Sequence, residues 1–362
     1  MIIKSIEIKK VNIPLIKPFK TAKRIATHTK SIIVIIKTDT EHIGYGEAAS
    51  TPVITGETLD SCFYAIKNYI MPAILNLNIA NIEEIIGNIQ NSILHNTSAK
   101  AAVDMAIYDL YAKFYNVPLY QILGGSKKVL KTDITISIDS IENMIDESLK
   151  YANLGYDTLK IKVGTDCVDD FEKIKKISEA IGKHISLRID ANQGWTAKDA
   201  VRIIKKIEDL ELNINFIEQP VHYKDYKGMA YVTKNTYLPI CADESVFSAR
   251  DTIDILEMRA ADIINIKLMK SAGIYNALQI CKTAKIYGIE CMVGCMLETN
   301  VGATFAANFA ASQSNVKFID IDTPMFYKKQ CAIGGISTDK NEIMLQNEIG
   351  SGIIDINQNF IF

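Results

Sequence analysis

Short apolar runs that end in a charged or polar residue recur along the second half of the chain. They are DITISI (133–138), DTLKIKVG (157–164), SLRIDAN (186–192), NFIEQP (215–220), LPICADES (238–245), ADIINIKL (261–268), IECMVGCM (289–296) and KFIDIDTP (317–324). Stretches with helical spacing, such as DDFEKIKKISEAIG and TAKDAVRIIKKIEDL, lie between them. Strand and helix in alternation predict parallel strands joined by right-handed crossovers, and eight such units predict a closed (β/α)8-type barrel. An open doubly wound sheet would place a glycine-rich phosphate turn after its first strand, and none is present.

The first half has a different texture. IIKSIEIKKVNIPL and SIIVIIKTDT are β-rich, and the polar stretch between them, with Thr21, Lys23, Arg24 and His28, predicts a long loop. A second candidate lid, GYGEAASTPVITGET, spans 44–58, and helical spacing then runs through AAVDMAIYDLYAKFY toward Gly124 and Gly125. The expected organisation is an α+β capping domain over 1–125, the barrel over 126–325, and a tail over 326–362. The tail's glycine-broken strands, ending in GIIDINQNFIF, are expected to rejoin the N-terminal sheet.

In a β/α barrel the chemistry is built at the C-terminal ends of the strands. Counted from DITISI, the second strand ends with Lys160 and Lys162, the third with Asp190, the fourth with Glu218, the fifth with Asp243 and the sixth with Lys267. The second and sixth strands stand opposite each other in an eight-membered ring. Three carboxylates on consecutive strands suit a hard, oxygen-seeking cation such as Mg²⁺, and the absence of His and Cys from the set argues against zinc. A buried salt-bridge network is the competing reading of the same residues, and a costly one. Two amines on opposite sides of a cation describe inversion of a stereocentre beside a carboxylate, with Lys162 as one general base and Lys267 serving the other face. Repulsion from Lys160 and the cation would favour the neutral amine of Lys162. Asp320 and Asp322 lie on one face at the end of the eighth strand, across from Glu218, where an α-ammonium at the far end of the substrate would meet them. They could instead only accept hydrogen bonds from the capping loops.

Composition narrows the partners. A formal net charge of -2 with interspersed acids and bases leaves no basic footprint for nucleic acid or a membrane surface. No apolar run reaches the roughly 18 residues of a membrane span, and MIIKSIEIKK reads as a strand rather than a signal peptide. The seven scattered cysteines read as reduced thiols in a cytoplasmic protein. Cys291 and Cys295 lack the second Cys or His pair that a structural zinc would need.

TLKIKVG, DANQGW, IEQP, CADES and NIKLMKSAGI resemble the muconate lactonizing enzyme subgroup of the enolase superfamily, over essentially the whole chain. DIDTP is similar to the D-x-D of its dipeptide epimerases. The resemblance implies Mg²⁺ on Asp190, Glu218 and Asp243, an acid/base pair in Lys162 and Lys267, and Lys160 against the substrate carboxylate. It further implies that Asp320 and Asp322 bind the dipeptide ammonium, that Arg24 meets an acidic side chain on the C-terminal residue, and that Thr135 with Cys295 to Leu297 completes the pocket. The expected reaction is epimerisation of the C-terminal residue of a dipeptide, interconverting L-Ala-L-Glu and L-Ala-D-Glu in the handling of cell-wall peptides, by a homo-oligomer. N-acylamino acid racemase, o-succinylbenzoate synthase and muconate cycloisomerase are the alternatives within the subgroup, and their substrates carry no free ammonium for Asp320 and Asp322. An acid-sugar dehydratase would want a histidine near the later strands, yet His28, His42, His95, His184 and His222 all precede the fifth. A non-catalytic binding protein on an inherited barrel would have no reason to keep both lysines with all three acids.

Overall fold

A computed structural model describes residues 1–21, 24–126 and 129–362. Strands β1 (Ile3–Lys20), β2 (Ile25–Thr38) and β3 (Ile43–Ala49) form an antiparallel sheet in that order. The apolar block Ile32–Ile36 of β2 is buried against the helix Thr97–Phe114. Two glycines on β3 permit that approach. A Cβ at Gly46 would lie 1.9 Å from the Ala102 carbonyl oxygen, and one at Gly44 would lie 2.3 Å from that of Ala106.

The β1–β2 ladder extends further than the sequence suggested. Most of the expected loop is paired strand, with His28 opposite Pro14, Ala26 opposite Phe19 and Ile25 opposite Lys20. Pro14 and Pro18 lack an N–H but favour extended backbone, so the pairing survives them, with a register shift between Pro14 and Phe19. Lys23 lies outside the described residues.

The barrel strands are β5 (Ile134–Ile136), β6 (Thr158–Lys162), β7 (Ser186–Asp190), β8 (Ile214–Glu218), β9 (Ile240–Ala242), β10 (Ile263–Ile266), β11 (Glu290–Gly294) and β12 (Val316–Asp320), parallel and in sequence order. The ring is nearly closed. Among the described residues β5 and β12 share no strand ladder, and their seam is joined by side chains and one long backbone hydrogen bond from Asp133 N–H to Ile319 O at 3.4 Å. Inside the barrel, Phe216, Cys241, Ile263 and Met292 form a separate apolar layer packed with Phe318.

The tail departs from expectation. Its strands β13 (Ala332–Gly334), β14 (Ser337–Asp339), β15 (Glu342–Met344) and β16 (Ile353–Ile356) pair among themselves and with β4 (Val129–Lys131), not with the N-terminal sheet. Among the described residues the tail meets β1 through isolated bridges, Val11 to Ile361 and Leu15 to Tyr327, and a backbone bond from Phe362 N–H to Lys10 O. Gly334, Gly335, Gly350 and Gly352 all have positive φ and break the tail into pieces too short to extend that sheet.

Two carboxylates from the N-terminal half cap barrel helices. Glu47 of β3 accepts hydrogen bonds from the N–H groups of Thr299 and Gly302 at the start of Asn300–Ser312, and Asp104 accepts one from Ile274 N–H at 2.5 Å. Among the described residues no helix is long and apolar enough to cross a membrane.

Candidate active site

Strand register places Lys162, Asp190 and Glu218 in one row, since Lys162 pairs with Asp190 and Asp190 with Glu218. Lys160 sits one layer lower, opposite Arg188, which in turn stands opposite Phe216. Asp243 and Lys267 each occupy the first position after a strand, and Asp322 lies two residues beyond β12. Gln219 sets the fifth-strand end: its side-chain oxygen accepts the N–H groups of Asp243 and Ser245.

All these charges are buried, and they are densely paired. Lys160 Nζ lies 2.6 Å from Glu218 Oε2, 2.7 Å from Asp320 Oδ2 and 3.0 Å from Asp190 Oδ2. Lys162 reaches Asp190 Oδ2 at 2.6 Å, and Lys267 reaches Asp243 Oδ2 at 2.7 Å. Lys270, which sequence reasoning left without a role, takes the other oxygen of Asp243 at 2.7 Å. Asn265, also overlooked, donates to Glu218 Oε1 at 2.8 Å.

The electrostatics follow from that sharing. Burial opposes the charge of Lys160, but Asp320, Glu218 and Asp190 outweigh it and hold the ammonium well above the ordinary lysine value. Burial likewise opposes the charge of Lys267, and Asp243 overcomes it. Asp190 and Asp243 are raised by burial yet held well below the usual carboxylate range, Asp190 by Lys162 and Lys160, Asp243 by Lys267 and Lys270. Glu218 is pushed up to about 8 by burial and by Asp190, despite its contact with Lys160. One ammonium spread over three carboxylates cannot compensate all of them. Asp322 rises to about 6 through burial and Asp320, whereas Asp320 is lowered, since burial is overcome by Lys160.

A cavity of about 620 Å³, counted with its opening to solvent, lies over this network. Its wall includes Arg24, Thr135, Lys160, Lys162, Cys295, Leu297, Asp320 and Asp322, together with Phe19, Thr51, Val53 and Ile54 from the N-terminal half. Asp190, Glu218, Asp243 and Lys267 are not on that wall; Asp190 and Glu218 meet it through Lys160 and Lys162. Asp322 Oδ2 accepts the Thr135 N–H at 2.7 Å and Asp320 Oδ2 accepts from Lys160 at 2.7 Å, so barrel strands hold both eighth-strand acids. Arg24 forms no ion pair among the described residues, and burial lowers its pKa. Cys295 lies 3.7 Å from the Thr323 hydroxyl, and burial raises its thiol well above the ordinary value, so it packs as an inert group.

Two acid sets present oxygens for a cation. Asp190, Glu218 and Asp243 supply all-oxygen donors from consecutive strands, and positive charge already gathers on them, Lys160 on Glu218 Oε2 at 2.6 Å and Lys270 on Asp243 Oδ1 at 2.7 Å, a donor set that fits a hard ion. Among the described residues, however, the acids whose oxygens gather within 4.8 Å of one another are Asp133, Asp320 and Asp322.

Opposed amines over a carboxylate row in a β/α barrel define an enzyme class that moves a proton at carbon beside a carboxylate. The Enolase C-terminal domain-like model matches residues 143–356, and the Mandelate racemase / muconate lactonizing enzyme N-terminal domain model matches 3–124. The chain belongs to that mandelate racemase/muconate lactonizing enzyme family of the enolase superfamily. It is 48% identical over 357 residues to an L-Ala-D/L-Glu epimerase of Clostridium acetobutylicum, covering 99% of this chain and 100% of the relative. It superposes on the substrate-liganded L-Ala-D/L-Glu epimerase of Bacillus subtilis with a TM-score of 0.97 at 45% identity, covering 99% and 100% of the two chains. A dipeptide epimerase of Enterococcus faecalis, complexed with Mg and L-Leu-L-Tyr, matches with a TM-score of 0.95 at 40% identity, covering 98% and 100%.

Proposed function

We propose that the protein is a Mg²⁺-dependent dipeptide epimerase that inverts the α-carbon of the C-terminal residue, with L-Ala-L-Glu to L-Ala-D-Glu as the leading reaction. The observation that carries this is the pairing of Lys162 with Asp190 and of Lys267 with Asp243 on opposite strands of one barrel mouth. Lys162 and Lys267 exchange the α-proton on opposite faces. The ammonium form of Lys267, which Asp243 stabilises, suits proton delivery. Asp190, Glu218 and Asp243 would hold the metal, which when bound supplies positive charge against the substrate carboxylate. Lys160 steadies that carboxylate, and Asp320 with Asp322 receives the dipeptide ammonium. Thr135, Cys295 and Leu297 shape the pocket, and Arg24 reads an acidic side chain.

The same reading places domain limits after residues 125 and 325, and a role in cell-wall peptide handling in the cytoplasm, which the seven unpaired thiols suit. It includes a homo-oligomer. The test is incubation with Mg²⁺ and an L,L-dipeptide library in D₂O, following α-deuterium by mass spectrometry. EDTA-sensitive exchange of Ala-Glu is expected. Exchange confined to apolar or basic dipeptides would remove Arg24 as an acid reader, and no exchange with any dipeptide would overturn the reading.

A further inference from the structure

Beneath the eighth-strand acids lies a buried ion pair that the reaction outlined above does not use. Arg188 projects from β7 across the barrel interior, and its Nη1 donates to Asp133 Oδ2 at 2.8 Å and to Ile319 O at 2.7 Å. Its guanidinium lies over the rings of Phe216 and Phe318 at 5.5 and 5.4 Å. The two groups it reaches, Asp133 and Ile319, flank the seam between β5 and β12, where among the described residues the ring lacks a strand ladder. Beside the long Asp133 N–H to Ile319 O bond, side-chain contacts also cross the seam, from Ile321 N–H to Thr132 Oγ1 at 2.9 Å and from Thr135 N–H to Asp322 Oδ2. Arg188 is therefore held on its aromatic and carbonyl side, below the acids, while Asp133 faces Asp320 and Asp322 with an oxygen within 4.8 Å of theirs.

We propose that Asp133, held by Arg188, is a positioning residue for the dipeptide ammonium, a third carboxylate set beneath Asp320 and Asp322. The inference rests on the dipeptide reading. Asp133 is fully buried, and its Oδ1 has no hydrogen-bond partner. Leaving a buried acceptor unpaired is unfavourable, and a nearby cation would compensate it. The charges agree. In direct ion pairs among the described residues, Asp133 meets Arg188 and Asp320 meets Lys160 while Asp322 meets no cation, which leaves one carboxylate without a paired charge where a single ammonium is to bind. Lys160 is shared with Asp190 and Glu218, so the excess is not relieved from that side. Burial, then Asp320, raises Asp133 well above the ordinary carboxylate value while Arg188 opposes the shift, as expected for three acids short of one cation.

The test compares Ala-Glu with propionyl-Glu, which has the same shape without the amino group. In Asp133→Asn the KM for Ala-Glu should rise at least tenfold with kcat within about threefold of wild type, while the inhibition constant of propionyl-Glu stays within about twofold. If that variant does not fold, Asp133→Leu combined with Arg188→Leu removes the pair as a unit and should show the same split. An unchanged KM in an active protein would overturn this inference alone, as would parallel weakening of Ala-Glu and propionyl-Glu, which would mark a merely structural role. A wild type that exchanges no dipeptide would overturn the epimerase reading and this inference with it.

Discussion

Removing either lysine of the opposed pair should produce a one-sided enzyme. Lys267 contacts Asp243 through Oδ2 at 2.7 Å while Lys270 covers Oδ1, and Lys162 contacts Asp190 while Lys160 lies 3.0 Å from the same carboxylate. In Lys267→Ala and in Lys162→Ala each acid therefore keeps one ammonium, and the stability loss should fall below the roughly 3–5 kcal/mol of an orphaned buried charge. The chemical loss should be larger. A positioned acid or base contributes about 10²–10⁴-fold, or about 3–5 kcal/mol of barrel-mouth chemistry at about 1.4 kcal/mol per decade. Both variants should lose epimerisation, since inversion needs both faces. Each should still exchange the α-proton of one stereoisomer with solvent, and the two variants should retain opposite isomers. The assay is α-deuterium incorporation into L-Ala-L-Glu and L-Ala-D-Glu measured separately, with thermal unfolding as the control. Folded variants that keep epimerising at the wild-type rate, or that both retain exchange of the same isomer, would refute the two-base arrangement.

Arg24→Ala should raise KM for Ala-Glu far more than for an apolar dipeptide, because no acidic side chain among the described residues pairs with this arginine; equal effects in steady-state kinetics would remove it as an acid reader. Gly302→Ala, although helical, should destabilise by about 1–3 kcal/mol in denaturant unfolding, since a Cβ there would lie 2.3 Å from Glu298 Oε2, and Glu298 is buried beside Glu47. An ordinary helical Gly→Ala gain of roughly 0.5–1 kcal/mol would contradict that packing. Burial raises Asp104 to about 8. A raised carboxylate favours the fold in its protonated form, so its contribution is complete below the unfolded value and is lost as pH climbs through about 8. Asp104→Asn should thus flatten the decline of Tm between acidic pH and pH 9, and parallel Tm profiles would show that Asp104 does not titrate in this way.

Much of the barrel was legible because a parallel strand writes itself as a short apolar run, and because residues two apart share a face. That sufficed to put Lys160 with Lys162 on one face and Asp320 with Asp322 on another, but not to show that Lys160 bridges Glu218 and Asp320, since strand order gives no side-chain reach. The loop between β1 and β2 was misjudged because lysines and prolines mask an extended strand whose partner is also polar. Lys270 escaped notice because it follows β10 on a turn, where no strand periodicity indicates direction, and it reaches Asp243 only through the fold. Arg188 and Asp133 read as ordinary strand residues. Their meeting depends on the seam between the first and eighth strands, which no local pattern announces. The tail's glycines were visible, but not that they would divert its strands onto β4.

In the proposed reaction the two acid sets in the barrel have different work, and their contacts separate them. A buried ion-pair network does not repay its desolvation by stability alone, so neither set is explained as a strut. In the seam set, Arg188 donates to Asp133, Lys160 to Asp320 and the Thr135 N–H to Asp322. Among the described residues Asp133 Oδ1 is the one oxygen of that set left buried and unpartnered, whereas the strand-end set carries ammonium groups on Asp190 Oδ2, Glu218 Oε2 and both oxygens of Asp243. A divalent ion asks for several oxygens at once and for room to keep water, while an ammonium needs one excess charge and a few acceptors. The strand-end acids suit the first demand and the seam acids the second. A dipeptide bridging them would place its α-carbon between Lys162 and Lys267, which is the arrangement that inversion requires.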